Sequence, residues 1–218
     1  MASSLAKSEG GKFRLALERA REVLRQEGVR GLWFKILGDT VYRRLLLLER
    51  PLQEPICEVK ARIPIEISLL QKSEIAEYVE FRPEVEGAEV EAQLNAGDWC
   101  FVARHQGRIV CARWATTRPV WSDYLSCELR LATDEVYIYD VFTKSEFRGQ
   151  AVSPATSTEM LRYFCTAGYR RIVTMVLPEN QPSLRAVAKT GHRPYGLIGY
   201  VKIDPWKRHF YRVRNAPT

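Results

Sequence analysis

One stretch constrains the fold of this chain more than any other: Val136-Tyr-Ile-Tyr-Asp-Val-Phe-Thr143, then Lys144-Ser-Glu-Phe-Arg-Gly-Gln-Ala-Val-Ser153, then a helix-forming run to about Tyr169. It reads as a buried strand, a short basic loop with a single glycine, and an amphipathic helix. That order sets free backbone N–H groups at the positive end of a helix, a ready site for a phosphate. A pyrophosphate held there would make the chain a cofactor-using enzyme.

Composition sets the outer limits. The 218 residues fit one domain of roughly 150 residues plus an appendage. An apolar fraction of 46% is ample for a core. No run approaches the ~20 apolar residues of a membrane span, and the N-terminus lacks a secretory leader pattern, so the expected location is cytoplasmic. Cys57, Cys100, Cys111, Cys127 and Cys165 are odd in number and widely spaced, as in reduced, mostly buried cysteines rather than a disulfide frame. With three scattered histidines, no metal site can be assembled. The net charge is +7. Basic residues gather between Lys7 and Arg50 and in Trp206-Lys-Arg-His-Phe-Tyr-Arg-Val-Arg214, whereas Glu74 to Glu91 is acidic. Such a surface favours phosphorylated cofactors, nucleic acid or anionic lipid, and a merely solvated helix face accounts for it equally well.

The chain divides into residues 1–55, a basic N-terminal helical extension, and residues 56–218. Apolar residues at helical spacing predict an amphipathic helix from Lys12 to Glu27, stopped by Gly28, and a shorter one from Val29 to Leu37. The first could lie on a membrane surface or pack on its own domain or a partner subunit. Val41 to Arg50 fits strand and helix alike. From Arg62 the pattern alternates: a strand at Ile63–Leu70, a helix from an N-cap at Ser73 to Phe81, and a helical stretch from Pro83 to Gly97. A hairpin turning at Gln106-Gly107 follows, then a loop from Arg118 to Ser126 and the strand Val136–Thr143. A helix from Pro154 to Ala167, a strand at Arg171–Leu177, a helix at Ser183–Lys189 and one or two strands within Tyr195–Ile203 complete the series.

This order resembles the GCN5-related N-acetyltransferase superfamily over roughly Arg62 to Ile203. The resemblance implies a mixed α/β fold with a mostly antiparallel sheet, a splayed central strand pair and flanking helices. The family signature falls on Arg148-Gly149-Gln150-Ala151-Val152-Ser153, preceded by Phe147. By resemblance these six residues cradle the coenzyme A pyrophosphate, and Val141, Phe142 and Thr143 face the pantetheine arm. Asn180 and Ser183 open the next helix and contact the same arm. The chain departs from the family at Ala151, where glycine is usual, and at Ser153, where glycine or alanine is usual. It also has Val187 in place of a tyrosine that protonates the leaving thiolate, and His192 in place of phenylalanine.

Acyl transfer from a thioester to an amine needs a neutral amine, a polarised carbonyl and a short reacting distance. Asp140 is the leading candidate base, a charge inside an apolar strand; its alternative is an ion pair with an arginine. Alternation sets Tyr137 and Tyr139 on the face opposite Asp140, with Tyr139 a stand-in for the missing acid. His192 suits proton transfer near neutral pH, and Glu128 is a further candidate base. Trp121, Tyr124 and Glu128 fall where the resemblance places the acceptor-binding segment. The expected reaction is direct attack by an amine of a small molecule or sugar on acetyl-CoA or another acyl-CoA, without a metal. Acyl carrier protein or aminoacyl-tRNA as donor, and a non-catalytic ligand-binding module, are the rival readings. Nucleic-acid binding is not the expected main function, since no recognition motif accompanies the basic residues. A homodimer is left open.

Overall fold

The computed structural model describes residues 42–203 and 206–213. The helices expected at Lys12–Glu27 and Val29–Leu37, with any membrane contact they make, lie outside these residues. Ten strands and four helices follow in chain order: β1 (Tyr42–Pro51), β2 (Glu66–Leu69), α1 (Ile75–Phe81), α2 (Gly87–Asn95), β3 (Trp99–His105), β4 (Arg108–Thr116), β5 (Val120–Ser122), β6 (Cys127–Leu129), β7 (Glu135–Thr143), α3 (Val152–Thr166), β8 (Arg171–Val176), α4 (Gln181–Ala188), β9 (Arg193–Ile203) and β10 (Trp206–Val213). Eight strands form one sheet in the order β10-β9-β1-β8-β7-β4-β3-β2, and β5 and β6 form a separate hairpin. Only β7 and β8 run parallel in the main sheet; its other pairs are antiparallel.

The ambiguous leucine run is a strand, and β1 fills the slot between β8 and β9. Its Leu47 and Leu48 are buried, as expected of an interior strand covered on both faces, which carries no period-2 signal. The basic aromatic stretch near the C-terminus is also ordered, as the edge strand β10. Gln106 and Gly107 both take positive φ, 51° and 76°, the geometry that a two-residue hairpin turn demands. Where a loop was expected after Arg118, β5 and β6 pair Val120 with Leu129 and Ser122 with Cys127. Gln71, not Ser73, caps a short 3-10 turn at Lys72–Glu74 that leads into α1: its backbone N–H donates to Glu74 Oε2 at 2.7 Å.

The sheet is packed on both faces. One core joins Phe101, Ala115, Val136, Ile138 and Ile172 to Met160, Leu161 and Phe164 of α3. The other joins Val102, Ala112 and Trp114 to Tyr78 and Phe81 of α1 and Val90 of α2. Trp114, fully buried, donates its indole N–H to Tyr78 Oη at 2.8 Å, meeting the requirement that a buried indole find an acceptor. Cys100 and Cys111 are buried as expected, but Cys57 and Cys165 are exposed. No helix among the described residues is long and apolar enough to cross a membrane.

Candidate active site

The parallel ladder between β7 and β8 runs from Glu135↔Arg171 to Ile138↔Thr174 and stops there. Beyond it β7 continues to Thr143, paired with β4 alone. Thr174 closes the apex by donating its hydroxyl to the Ile138 carbonyl at 3.1 Å. The two central strands therefore part, leaving a cleft whose β7 wall has no strand partner.

A bulge sits on that wall. Ala112 pairs with Phe142 and Trp114 with Tyr139, so Arg113 of β4 alone faces both Asp140 and Val141 of β7. One extra residue frees backbone groups from the ladder and re-aims side chains. Asp140 takes φ 40°, a conformation that aspartate tolerates better than most residues. The expected alternation, with Tyr139 and Asp140 on opposite faces, fails here. Asp140 turns to the α1 side, where its Oδ1 and Oδ2 accept from Arg82 Nη1 at 3.1 and 3.4 Å. Arg82 also pairs with Glu84 and lies 4.4 Å over the Phe142 ring. Asp140 is thus both ion-paired and partly exposed at the mouth of the cleft.

Tyr139, on the same face, donates its hydroxyl to Asp98 Oδ2 at 2.7 Å. Asp98 is buried and held by Arg118, whose Nη2 reaches both carboxylate oxygens at 2.9 Å. Burial first, then donation to Asp98, pushes the phenol well above its ordinary range, so Tyr139 is a poor proton donor.

Behind the cleft the chain turns from β7 into α3. Gly149 and Ala151 take φ 80° and 58°, so the loop curls tightly into the start of α3. Among the described residues, no acceptor meets the N–H of Gly149 to Ser153, and Pro154 has none to offer. The curl is held from outside by Arg62 N–H on the Gln150 carbonyl at 2.8 Å and Arg148 Nε on the Thr143 carbonyl at 3.2 Å. The left-handed Ala151 costs about 1–2 kcal/mol relative to the right-handed region, strain of the kind stored at ligand sites.

The remaining residues singled out in the sequence are placed as follows. Asn180 caps α4, its Oδ1 accepting from Ser183 N–H at 3.1 Å, so these two order the helix end beside the cleft. Trp121, 61% exposed, donates to Asp123 at 3.0 Å. Tyr124 is gripped by Arg43, whose Nη1 donates to its carbonyl at 2.9 Å and whose guanidinium lies 5.0 Å over its ring. Glu128 pairs with Arg130. The hairpin is joined to the cleft through Arg118 and Asp98 at its stem; no contact among the described residues links Trp121, Tyr124 or Glu128 to Asp140.

Arg113 is the residue that the sequence reading missed. It is 4% exposed on the α3 side, and its Nη1 donates to the Ser153 carbonyl at 3.0 Å and hydroxyl at 3.1 Å. Its Nε has no partner, and burial pulls the guanidinium below its ordinary value. The reasoning that singled out Asp140, a charge inside a buried strand, applies equally to Ile109-Val-Cys-Ala-Arg-Trp-Ala115.

His192 lies in the loop after α4, 6% exposed. Thr190 Oγ1 donates to the Val187 carbonyl at 2.9 Å, so its 3.0 Å contact with His192 Nδ1 requires the imidazole to donate. Nε2 is then bare, and it has no partner. Burial, with Arg113 and Arg50 nearby, pushes the imidazole down to about 3 from 6.5. Between these values the unfolded chain binds the extra proton, so stability is full above pH 6.5 and is lost as pH falls toward 3, by about 1.4 kcal/mol per unit. Melting curves at pH 7 and pH 5 are expected to differ by roughly 2 kcal/mol from this group alone, and H192N should flatten the difference. An unchanged slope would remove His192 from the account.

Comparison with protein-family models and with curated proteins returns no match. Comparison with solved structures gives the class: the chain has the fold of the GCN5-related N-acetyltransferases. It is similar to the GCN5-related glucosamine N-acetyltransferase region of a fungal multi-domain GH3 β-N-acetylglucosaminidase, at 16% identity and a TM-score of 0.53, over 77% of this chain and 21% of that one. A GNAT-family protein from Novosphingobium aromaticivorans gives 15% identity and a TM-score of 0.52 over 74% and 65% of the two chains. One from Colwellia psychrerythraea gives 12% and 0.52 over 70% and 53%. The chain thus spans about a fifth of the fungal enzyme's length. The two strands that the sequence resemblance did not cover, β1 and β10, are part of the main sheet in this chain.

Proposed function

We propose that this protein is an acyltransferase that takes an acyl group from a coenzyme A thioester and passes it to the amine of a small molecule or sugar. The observation that carries the reading is the cleft between β7 and β8, bulged at Asp140 and closed at its rear by the free N–H groups of Gly149 to Ser153. The pyrophosphate is bound by those N–H groups at the start of α3, and the pantetheine arm runs along Val141, Phe142 and Thr143. A backbone N–H freed by the bulge polarises the thioester carbonyl. The acceptor amine attacks the carbonyl carbon, the C–N bond forms and the C–S bond breaks. Asp140, directly or through water, takes the proton shed by nitrogen. The thiolate is protonated by water, because Tyr139 keeps its proton in the hydrogen bond to Asp98 and His192 Nε2 carries none.

Isothermal titration with coenzyme A and acetyl-CoA, followed by thiol release over a panel of aminosugars and other amines, tests the reading. Absence of binding by every coenzyme A thioester at millimolar concentration would sink it. Binding to an acyl carrier protein or aminoacyl-tRNA in that case would move the donor to a macromolecular carrier.

Electrostatics at the loop give a more pointed test. In Q150D a carboxylate beside the α3 N-terminus favours the helix by about 0.3–1 kcal/mol but repels the pyrophosphate. Coenzyme A affinity is expected to fall about tenfold while the melting temperature holds or rises. A loss of both together would show only damage to the loop.

A further inference from the structure

Most arginines of the described fold that are largely buried are matched to carboxylates or to a full set of acceptors. Arg50, 3% exposed, places Nε on the Thr190 carbonyl at 3.0 Å, Nη1 on the Pro51 carbonyl and Glu54 Oε2 at 2.7 and 3.0 Å, and Nη2 on the Pro55 carbonyl at 2.7 Å. Arg82 has Asp140 and Glu84, and Arg104 has Glu74 and Glu77. Arg113 differs. Among the described residues no carboxylate pairs with it, and its Nε is buried without a partner. A buried charge left uncompensated is expensive, and proteins keep one where something else supplies the counter-charge.

Two further orphans belong to the same region. Ser157 Oγ, 1% exposed, lies one turn along α3 from Ser153, which holds Arg113, and has no partner. His192 Nε2 is the third unpartnered atom, and its protonation is opposed by the charge of Arg113. Because His192 stays neutral, the region holds one uncompensated positive charge, not two. The first two turns of α3 thus set Ser153 and Ser157 beside Val152, which packs on Ala103, Val110 and Cys111 of the sheet, before the apolar run of Met160, Leu161 and Phe164.

Position separates this region from the phosphate cradle. Arg113 bonds the carbonyl of Ser153, not its N–H, so it lies beneath the helix rather than before its end. The cradle is open, with Arg148 and Gly149 exposed, whereas all three orphans are more than nine-tenths buried. Arg113 is also the residue that faces the β7 bulge across the ladder.

We propose that Arg113 and Ser157 form a subsite for a carboxylate borne on the acyl group, so that the preferred donor is the monothioester of a dicarboxylic acid. The proposal rests on the coenzyme A reading above. The carboxylate accepts from Arg113 Nε–H and Ser157 Oγ–H, and one negative charge balances the one guanidinium.

Titration calorimetry on the full chain with coenzyme A, acetyl-CoA, succinyl-CoA and free succinate tests this. Succinyl-CoA is expected to bind on the order of tenfold to a hundredfold more tightly than acetyl-CoA, the scale of a charge-assisted contact. The ratio should fall to about one in R113M and by several-fold in S157A, which keeps the proposal testable if R113M fails to fold. Equal affinities in the unaltered chain, or a preference that survives both substitutions, overturn the subsite and leave the coenzyme A reading intact. Tight binding of free succinate without its thioester would mean an anion site unconnected to the donor, and would also overturn it. If every thioester is silent, the coenzyme A reading falls and the subsite falls with it.

Discussion

Replacing Asp140 with asparagine is expected to lower kcat by about a hundredfold to a thousandfold, the scale of a lost general base, with little change in KM for the thioester. Asparagine is the cleanest test because this position needs φ 40°, and asparagine enters the left-handed region at least as readily as aspartate. The bulge should survive, along with the backbone groups that it frees from the ladder. The amide can still accept from Arg82 Nη1, now 3.1 Å from Oδ1, but it cannot take a proton from the amine. A larger amine pKa in the acceptor should deepen the loss, since more of the proton must then be removed by the base. Steady-state kinetics with two amines of different basicity read both effects. A variant with full kcat would make Asp140 a partner for Arg82 and nothing more, leaving water alone to collect the proton.

The second large effect has the opposite sign. R113M is expected to raise the stability of the unliganded protein by about 1–4 kcal/mol, taking the range found when a buried ion pair gives way to well-packed apolar side chains as the scale for this buried charge. For a domain of this length that is a rise of roughly 2–4 °C in melting temperature per kcal/mol. Methionine fills the volume beneath α3 without a desolvation cost. The Ser153 carbonyl that Arg113 now holds lies within the helix and keeps its backbone partner one turn on. A stability gain accompanied by a loss of ligand preference is the mark of a residue kept for binding. If R113M instead melts earlier, the two bonds to Ser153 outweigh the buried charge and Arg113 is a structural tie.

Much of this architecture could be read from local sequence, and the parts that could not have a common cause. The strand, loop and helix from Val136 onward declare themselves through an apolar run, a lone glycine and helical spacing, all within thirty-odd positions. The Gln106-Gly107 turn is equally local. β1 is different: Leu45 to Leu48 form an unpatterned apolar run, and only pairing with Val173 to Val176 and with Gly196 to Ile198, far along the chain, makes it a strand. The site shows the same division. The cradle was legible because its residues are contiguous. The bulge was not, because alternation predicts a regular strand, and one extra residue carries Asp140 to the face of Tyr139. Asp98 and Arg118 reach Tyr139 only through tertiary packing. Arg113 had a visible signal in its apolar surroundings, yet its meaning depends on a partner that is missing, which sequence cannot display.

The central claim is that the donor lies in the cleft between β7 and β8 with its phosphates on the α3 loop. Amide chemical-shift mapping during titration with coenzyme A tests that claim most directly. The N–H signals of Gly149 to Ser153 and of Asp140 to Thr143 should shift together and saturate together, while those of β10 stay in place. Shifts confined to another surface, or none at saturating millimolar coenzyme A, would contradict it.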